Sequence, residues 1–471
     1  MLEETKQALT TEQYIHREVD IFVANNNAEK KDVEHLMSFI TTSGASVSQV
    51  PSLLKQGYKR LLQLRELTAQ GEASIEGNKT LTQLVQRALM AASKLDYEQA
   101  AGYYEQASKF AGISNELAWG YLSQSAKLKT ELGQEFGDNN ALQQAIYLIE
   151  DDVLPLASGS DRAQDLATSL HLLANARAIL GQRQGGTRNL EESIESFEGA
   201  LTQRNRKSHP LEWAETQNSL GNSLGMLAHR QGDAAMLEKS LEAFEMSLKE
   251  RTREVAPAEW ASTKNNLAAV LQSMGQRDKD TQLLKKSVEI YKEVLALWTR
   301  DNAPQDWATA MNNLGTALRV LGEHRKGPRT FEQSVAAYKN ALEEKTREVF
   351  PQEWAMTQNN LGAALQKLAE LEKDGDTLLK AVEAYENTLQ EWTRESVPMA
   401  WAMTMANLGV ARRTLAEVLT DIDIARKALV ELEAVSDVFR ELSHAQYSEL
   451  VIDQIGQTRK LIVSLESSKE D

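Results

Sequence analysis

Residues 304–342 read PQDWATAMNNLGTALRVLGEHRKGPRTFEQSVAAYKNAL. Proline sits where a first helical turn tolerates it, because its missing N–H would have no partner there. Asn302 or a neighbour is the expected cap. Trp307, Met311, Leu314, Leu318 and Leu321 then recur at spacings of three and four, one face of a helix. Gly322 to Pro328 breaks the chain, and Phe331, Val335, Tyr338 and Leu342 mark a second helical face. Each helix is expected to run roughly 18 residues, about 27 Å. The stretch is a helix pair.

The pair repeats. Trp213, Trp260, Trp307, Trp354 and Trp401 are 47 residues apart, and Pro210, Pro257, Pro304, Pro351 and Pro398 keep step. The strings WAETQNSLG, WASTKNNLA, WATAMNNLG, WAMTQNNLG and WAMTMANLG follow. Leu166 and Trp119 hold the same register upstream, and Asp453-Gln454-Ile455-Gly456 holds it downstream in what reads as a lone capping helix. Small residues recur in the first helix (Ala174, Gly221, Ala268, Gly315, Gly362, Gly409) and in the second (Ser193, Ser240, Ser287, Ser334, Ala381, Ala428). Four residues after the second set comes a ring: Phe197, Phe244, Tyr291, Tyr338, Tyr385. A ring one turn from a small residue is a knob beside a hole.

Leu-Gly in the first helix and small-x-x-x-aromatic in the second resemble the tetratricopeptide repeat. LDYEQAAGYYEQASKF, residues 95–110 with Ala100, Tyr104 and Ala107, resembles it more closely still. The resemblance covers roughly residues 80–465. The usual unit is about 34 residues, so this one resembles the longer variants of kinesin light chains and bacterial signalling proteins. HEAT-type repeats are the alternative of similar period. The resemblance implies an all-α solenoid, a right-handed superhelix of antiparallel helix pairs. Seven pairs begin at Trp119, Leu166, Trp213, Trp260, Trp307, Trp354 and Trp401, after a shorter pair at about 80–111. Residues 1–75 form an N-terminal helical cap or docking module with helices near 11–26, 28–43 and 50–70. Thr11 and Ser52 are candidate caps for the first and third. Residues 76–442 are the solenoid, and 443–471 a capping helix and tail.

Composition agrees with helices. Only 8 of 471 residues are proline and 25 glycine, with 42% hydrophobic residues for a core. Cysteine is absent, which excludes disulfide and thiolate chemistry. A net charge of −16 disfavours nucleic acid and anionic membranes as partners. The N-terminus carries no secretory signal and no apolar stretch is long enough to cross a membrane, so a cytoplasmic protein is expected.

Catalytic patterns are lacking. The histidines (His16, His35, His171, His209, His229, His324, His444) have no metal-ligand spacing and read as solvated or locally bonded. Gly322 and Gly327 are spaced as in a phosphate loop, but Pro328-Arg329 replaces the Lys-Ser/Thr. Asp374-Gly375-Asp376 and Asp421-x-Asp423 do not continue into a calcium loop. No enzyme, metal or cofactor is expected.

Asparagine is the residue that asks for a reason, because it is a mediocre helix former. Asn265-Asn266, Asn312-Asn313 and Asn359-Asn360 are pairs, and Asn218 and Asn407 half pairs. Thr309, Asn313, Thr316 and Val320 share a stripe apart from the core face. The resemblance implies that first helices line a concave groove, where such asparagines hold the backbone of an extended peptide. An amide both donates and accepts, so it grips any peptide unit. Asn266, Asn313, Asn360 and Asn407 then form a ladder, with Thr263, Thr357 and Thr404 near it. Stacking between neighbouring first helices explains the same residues equally well. Arg319, Lys367 and Arg413 lie one or two turns along and would favour an acidic or carboxylate ligand. Arg206, Arg253, Arg300, Arg347 and Arg394 end the second helices and read as partners of the helix dipole and of acidic neighbours. The tryptophans, with Trp298 and Trp392, read as packing residues.

The expected function is therefore a non-enzymatic scaffold that holds a protein or peptide in its groove. The alternative is a regulatory or sensor subunit docking an effector through residues 1–75. Homo-oligomerisation through the same helices stays open.

Overall fold

The computed structural model describes residues 10–69, 79–159, 161–325, 327–441 and 445–467. The expected boundaries after residues 75 and 442, and His444, lie outside the described residues. The described residues are mostly helical and fall into two compact units, one of residues 12–270 and one of residues 271–471 grouped with those up to Thr11. The first unit comprises α1 (Thr11–Asn26), α2 (Lys30–Thr42), α3 (Val50–Ala69), α4 (Lys79–Ser93), α5 (Tyr97–Ser108), α6 (Asn115–Phe136), α7 (Asn139–Leu148), α8 (Leu154–Ala157), α9 (Ala163–Arg183), α10 (Arg188–Gln203), α11 (Pro210–Gln231), α12 (Ala234–Ser247) and the start of α13 (Pro257–Arg277). The second comprises the end of α13, then α14 (Thr281–Leu295), α15 (Pro304–Arg325), α16 (Pro328–Leu342), α17 (Pro351–Glu372), α18 (Gly375–Thr388), α19 (Pro398–Leu419), α20 (Ile422–Glu441) and α21 (Ala445–Ser467).

Within each unit, helices adjacent in sequence pack together, and first helices also touch: α9 meets α11, α15 meets α17, and α17 meets α19. This is the α-solenoid arrangement. Prolines start α11, α13, α15, α17 and α19. Aspartates start most second helices. Asp138, Asp233, Asp280, Asp374 and Asp421 each accept hydrogen bonds from two backbone N–H groups of the turn they open. The two acidic strings that hint at calcium ligands are thus helix caps. Hydrogen bonds from the Thr377 side chain and from backbone N–H groups hold the Asp374 carboxyl below its ordinary range.

The small residues are holes for rings. A Cβ at Gly221 would lie 2.8 Å from the Phe244 ring, at Gly315 2.8 Å from Tyr338, at Gly362 2.9 Å from Tyr385, and at Gly409 2.7 Å from Leu432. Ser240 and Ser334 donate to the carbonyls of Gly221 and Gly315, each at 2.7 Å. Gly362→Ala should therefore lose stability although alanine is the better helix former. The gain is about 1 kcal/mol, and overpacking against a buried ring costs about 1–3 kcal/mol. A urea midpoint that rises in this variant would show that the hole has slack.

The arginine column clamps successive repeats. The guanidinium of Arg206 lies 4.5 Å from the Trp213 ring, Arg253 5.8 Å from Trp260, Arg300 6.0 Å from Trp307 and Arg347 5.6 Å from Trp354. Four arginines of the column reach acids at the end of the next second helix: Arg206 to Glu250, Arg300 to Glu343 and Glu344, Arg347 to Glu391, Arg394 to Glu441. Half-exposed, each ion pair contributes at most about 1 kcal/mol, and each ring contact about 0.5–1 kcal/mol. Asn302 stands in the turn that precedes α15. Its Oδ1 accepts from the Thr299 N–H at 2.8 Å and its Nδ2 donates to the Leu297 carbonyl at 3.0 Å, closing the preceding turn.

At the N-terminus α1 begins at Thr11 itself. Ser46, not Ser52, opens the third helical segment. It forms a reciprocal capping box with Gln49 on the short 3-10 turn Val47–Gln49 that leads into α3. Ser52 instead donates to Glu135 of α6 at 3.0 Å. One apolar core runs from Val19 and Phe22 through Leu53 and Leu54 to Leu81, Tyr97, Tyr104 and Leu128, so α1–α3 pack on the first repeat helices.

Candidate binding groove

In the first unit, α6, α9 and α11 wall a cleft of about 790 Å³, and Gln56 of α3 closes one side. Its polar lining is rich in amides: Gln56, Gln134, Asn175 and Gln182, with Thr130 and Ser219. Lys127 and Arg183 stand against Glu131 and Glu215, so charges of both signs are present. Arg60 of α3 bonds Glu131, which fixes one wall. Each amide offers a carbonyl and an NH₂ group, enough to match the alternating N–H and C=O of a peptide backbone. Ser219 is 47 residues before Asn266, so the register of the expected ladder does face a cleft at its upstream member.

Asn218, beside Ser219, buries its Oδ1 without a hydrogen-bond partner. Asn266 is half-buried, and its Oδ1 accepts from Asn265 Nδ2 at 3.5 Å. In the second unit Asn313, Asn360 and Asn407 are also half-buried. Their neighbours tie first helices together. Asn360 Nδ2 of α17 donates to Asn312 Oδ1 of α15 at 3.3 Å, and Thr404 of α19 donates to Asn359 Oδ1 at 3.2 Å. The amides therefore stack helices while keeping one side toward solvent.

The other expected site residues are spread. Thr309 is exposed and bonds back to the Gln305 carbonyl. Thr316 accepts from the Tyr338 hydroxyl at 3.0 Å, within its own helix pair. Thr263, Thr357 and Thr404 are buried. Arg319, Lys367 and Arg413 are each paired one turn on, with Glu323, Glu370 and Glu417. Those three glutamates are themselves 47 residues apart, an acidic column that offsets the basic one. Among the described residues, no three histidine, aspartate or glutamate side chains come together as a metal site. No helix among them is long and apolar enough to cross a membrane.

His171 is neither solvated nor bonded within its own helix. It occupies the register of Asn218, Asn265, Asn312 and Asn359, is buried, meets the Phe197 ring edge-on at 5.5 Å, and shares a hydrogen bond of 3.1 Å with Thr216. Burial, then the positive charges of Arg204 and Arg251, push its pKa down to about 3. Arg204, buried too, donates to Thr216 Oγ1 at 2.8 Å and to the Glu212 carbonyl at 2.9 Å.

Helix pairs stacked through their first helices, with a polar cleft on that face, define an α-solenoid. The tetratricopeptide-repeat family model matches residues 260–297. No curated protein matches it. Among solved structures it is similar to a Rap protein complexed with competence and sporulation factor (12% identity over 82% of this chain and 99% of that one, TM-score 0.44). The apo form of RapI is similar at 14% identity over 82% and 99% of the two chains (TM-score 0.45). The TPR2AB-domain:pHSP90 complex of yeast Sti1 matches at 18% identity over 70% and 98% (TM-score 0.22).

Proposed function

We propose that this protein is a non-enzymatic scaffold that grips an extended peptide segment of a partner through side-chain amides of its first helices. The observation that carries the reading is the cleft walled by α6, α9 and α11, where Gln134, Asn175 and Gln182 face one space with Gln56 and Ser219. Three successive first helices supply those groups, as one peptide running across them requires. The half-buried Asn266, Asn313, Asn360 and Asn407 offer the same chemistry further along the chain. In this reading α1–α3 act as a cap and as part of the wall, because they share the core of the first repeats and contribute Gln56.

The test is selection of peptides from a displayed random library on the wild-type chain, followed by titration of the winners. Asn175→Ala with Gln182→Ala should weaken them by about tenfold or more, since two hydrogen bonds at about 0.5–1.5 kcal/mol each are lost, with the melting curve unchanged. The quadruple change of Asn266, Asn313, Asn360 and Asn407 to alanine separates the two roles of the ladder. Lost affinity with an intact melt assigns it to peptide, and an early melt assigns it to stacking. Winners that bind both variants as tightly as wild type would remove the amides from the mechanism.

A further inference from the structure

Helix α21 holds the place of a first helix, packing on α20 and touching α19 as α19 touches α17. Its register follows the repeats: Gly456 is 47 residues after Gly409, Ile455 after Leu408, Arg459 after Arg412, Ile462 after Leu415 and Val463 after Ala416. In α19 the side of this register at Gly409, Arg412 and Ala416 is covered by α20. Ala416 is buried with Ile422 and Ala425, Leu432 fills the hollow at Gly409, and Arg412 is ion-paired to Glu431. In α21 the same side is open. Ile452 is 53% and Val463 63% exposed, and a Cβ at Gly456 would meet nothing within 4 Å, while Ile455 and Ile462 pack inward on the α20 core. Arg459 reaches sideways to Glu433 at 2.7 Å. A helix that only closed a stack would present a polar outer face. This one presents the hollow, the flanking aliphatics and the arginine that α19 keeps under α20.

We infer that the open stripe of α21 docks an amphipathic helix from a partner chain, seated as the second helix of a further repeat. The occupant's chemistry follows from the helices that fill this place elsewhere. In each, a large residue 23 positions after the glycine enters the hollow: Phe244 at Gly221, Tyr338 at Gly315, Tyr385 at Gly362, Leu432 at Gly409. Serine or alanine stands four residues before it. In the adjoining pair, where Arg412 holds the register of Arg459, the acid Glu431 directly precedes the large residue. The partner helix therefore carries small-x-x-acid-large on one face, the acid meeting Arg459 and the large residue meeting Gly456. This surface is independent of the amide cleft.

The probe is a fluorescein-labelled peptide of residues 422–441, the α20 sequence, which has that pattern in Ala428, Glu431 and Leu432. It should bind the full chain saturably by polarisation. Leu432→Ala in the peptide, or Gly456→Leu in the protein, should each weaken binding about tenfold or more. Gly456→Leu fills an open hollow on a helix, so its melting should match wild type, and Ile452→Glu serves as a second variant of the same stripe. Absence of saturable binding overturns the inference. So does equal binding to wild type and both variants. Sedimentation equilibrium of the chain alone covers the remaining occupant: a dimer that Ile452→Glu dissolves, without peptide binding, would give the stripe to a second copy and overturn the partner-helix assignment.

Discussion

Tyr385→Ala should cost the second unit about 4 kcal/mol, the largest loss expected from any single side chain named above. The ring is fully buried in the hollow at Gly362, and truncating such a ring typically costs about 3–5 kcal/mol through lost burial and the cavity left behind. Its hydroxyl also donates to Gln366 Oε1 at 3.1 Å in a site closed to water, and burial pushes the phenol's pKa up. Tyr385→Phe isolates that bond and should cost about 1–2 kcal/mol, the penalty of leaving a buried amide oxygen unpaired. Denaturant unfolding of the two variants measures both. A loss under about 1 kcal/mol for the alanine variant would mean that the α17–α18 pair rearranges to fill the hole, and that ring-in-hollow packing does not set the repeat.

Acid should destabilise the first unit through His171 well before its carboxylates protonate. The native imidazole, pushed down to about 3, stays neutral where an unfolded histidine, near 6.5, takes up a proton. Between those values the unfolded chain binds more protons, so stability falls as pH drops below about 6.5 and this contribution stops changing below about 3. The slope is about 1.4 kcal/mol per pH unit, or about 2 kcal/mol by pH 5. The groups facing the ring are Thr216, the Phe197 edge, Arg204 and Arg251, none of which offers a negative charge to an imidazolium. His171→Asn installs the residue found at this register in the following repeats and removes the titration. Melting followed from pH 7.5 to 5 should show a steep fall for wild type and a shallower one for the variant. Parallel curves would place the acid sensitivity elsewhere.

Much of this architecture is legible in the chain. Pro-x-x-Trp spacing sets where first helices begin, and the glycine and ring positions name the hollow and its knob before any coordinates. Those features repeat, and repetition makes them visible. The cleft is harder to find because most of its residues do not repeat. Gln134, Asn175 and Gln182 sit on helices around Trp119 and Leu166, upstream of the Pro-Trp strings, and of the three only Asn175 has a like neighbour at 47 residues, Asn222. The ladder is legible as a pattern, but its dual use is not, since one half-buried amide can bond a helix and still face water. The arginine column shows the converse. It reads as a partner of acids, and its seat above the tryptophan seven residues on depends on how the turn folds back. The offsetting column of Glu323, Glu370 and Glu417 was there to be read at the same spacing as the tryptophans.

The arginine clamps also bear on how such a chain can grow. Arg300 finds its ring seven residues on and its acid forty-four residues on, and Arg347 does the same with Trp354 and Glu391. Both partners fall within one period, so a 47-residue cassette duplicated in frame arrives with every contact already complementary to whichever copy follows it. Gene duplication or unequal recombination can then lengthen or shorten the array without inventing new chemistry at the seam. Only the two ends need residues of their own.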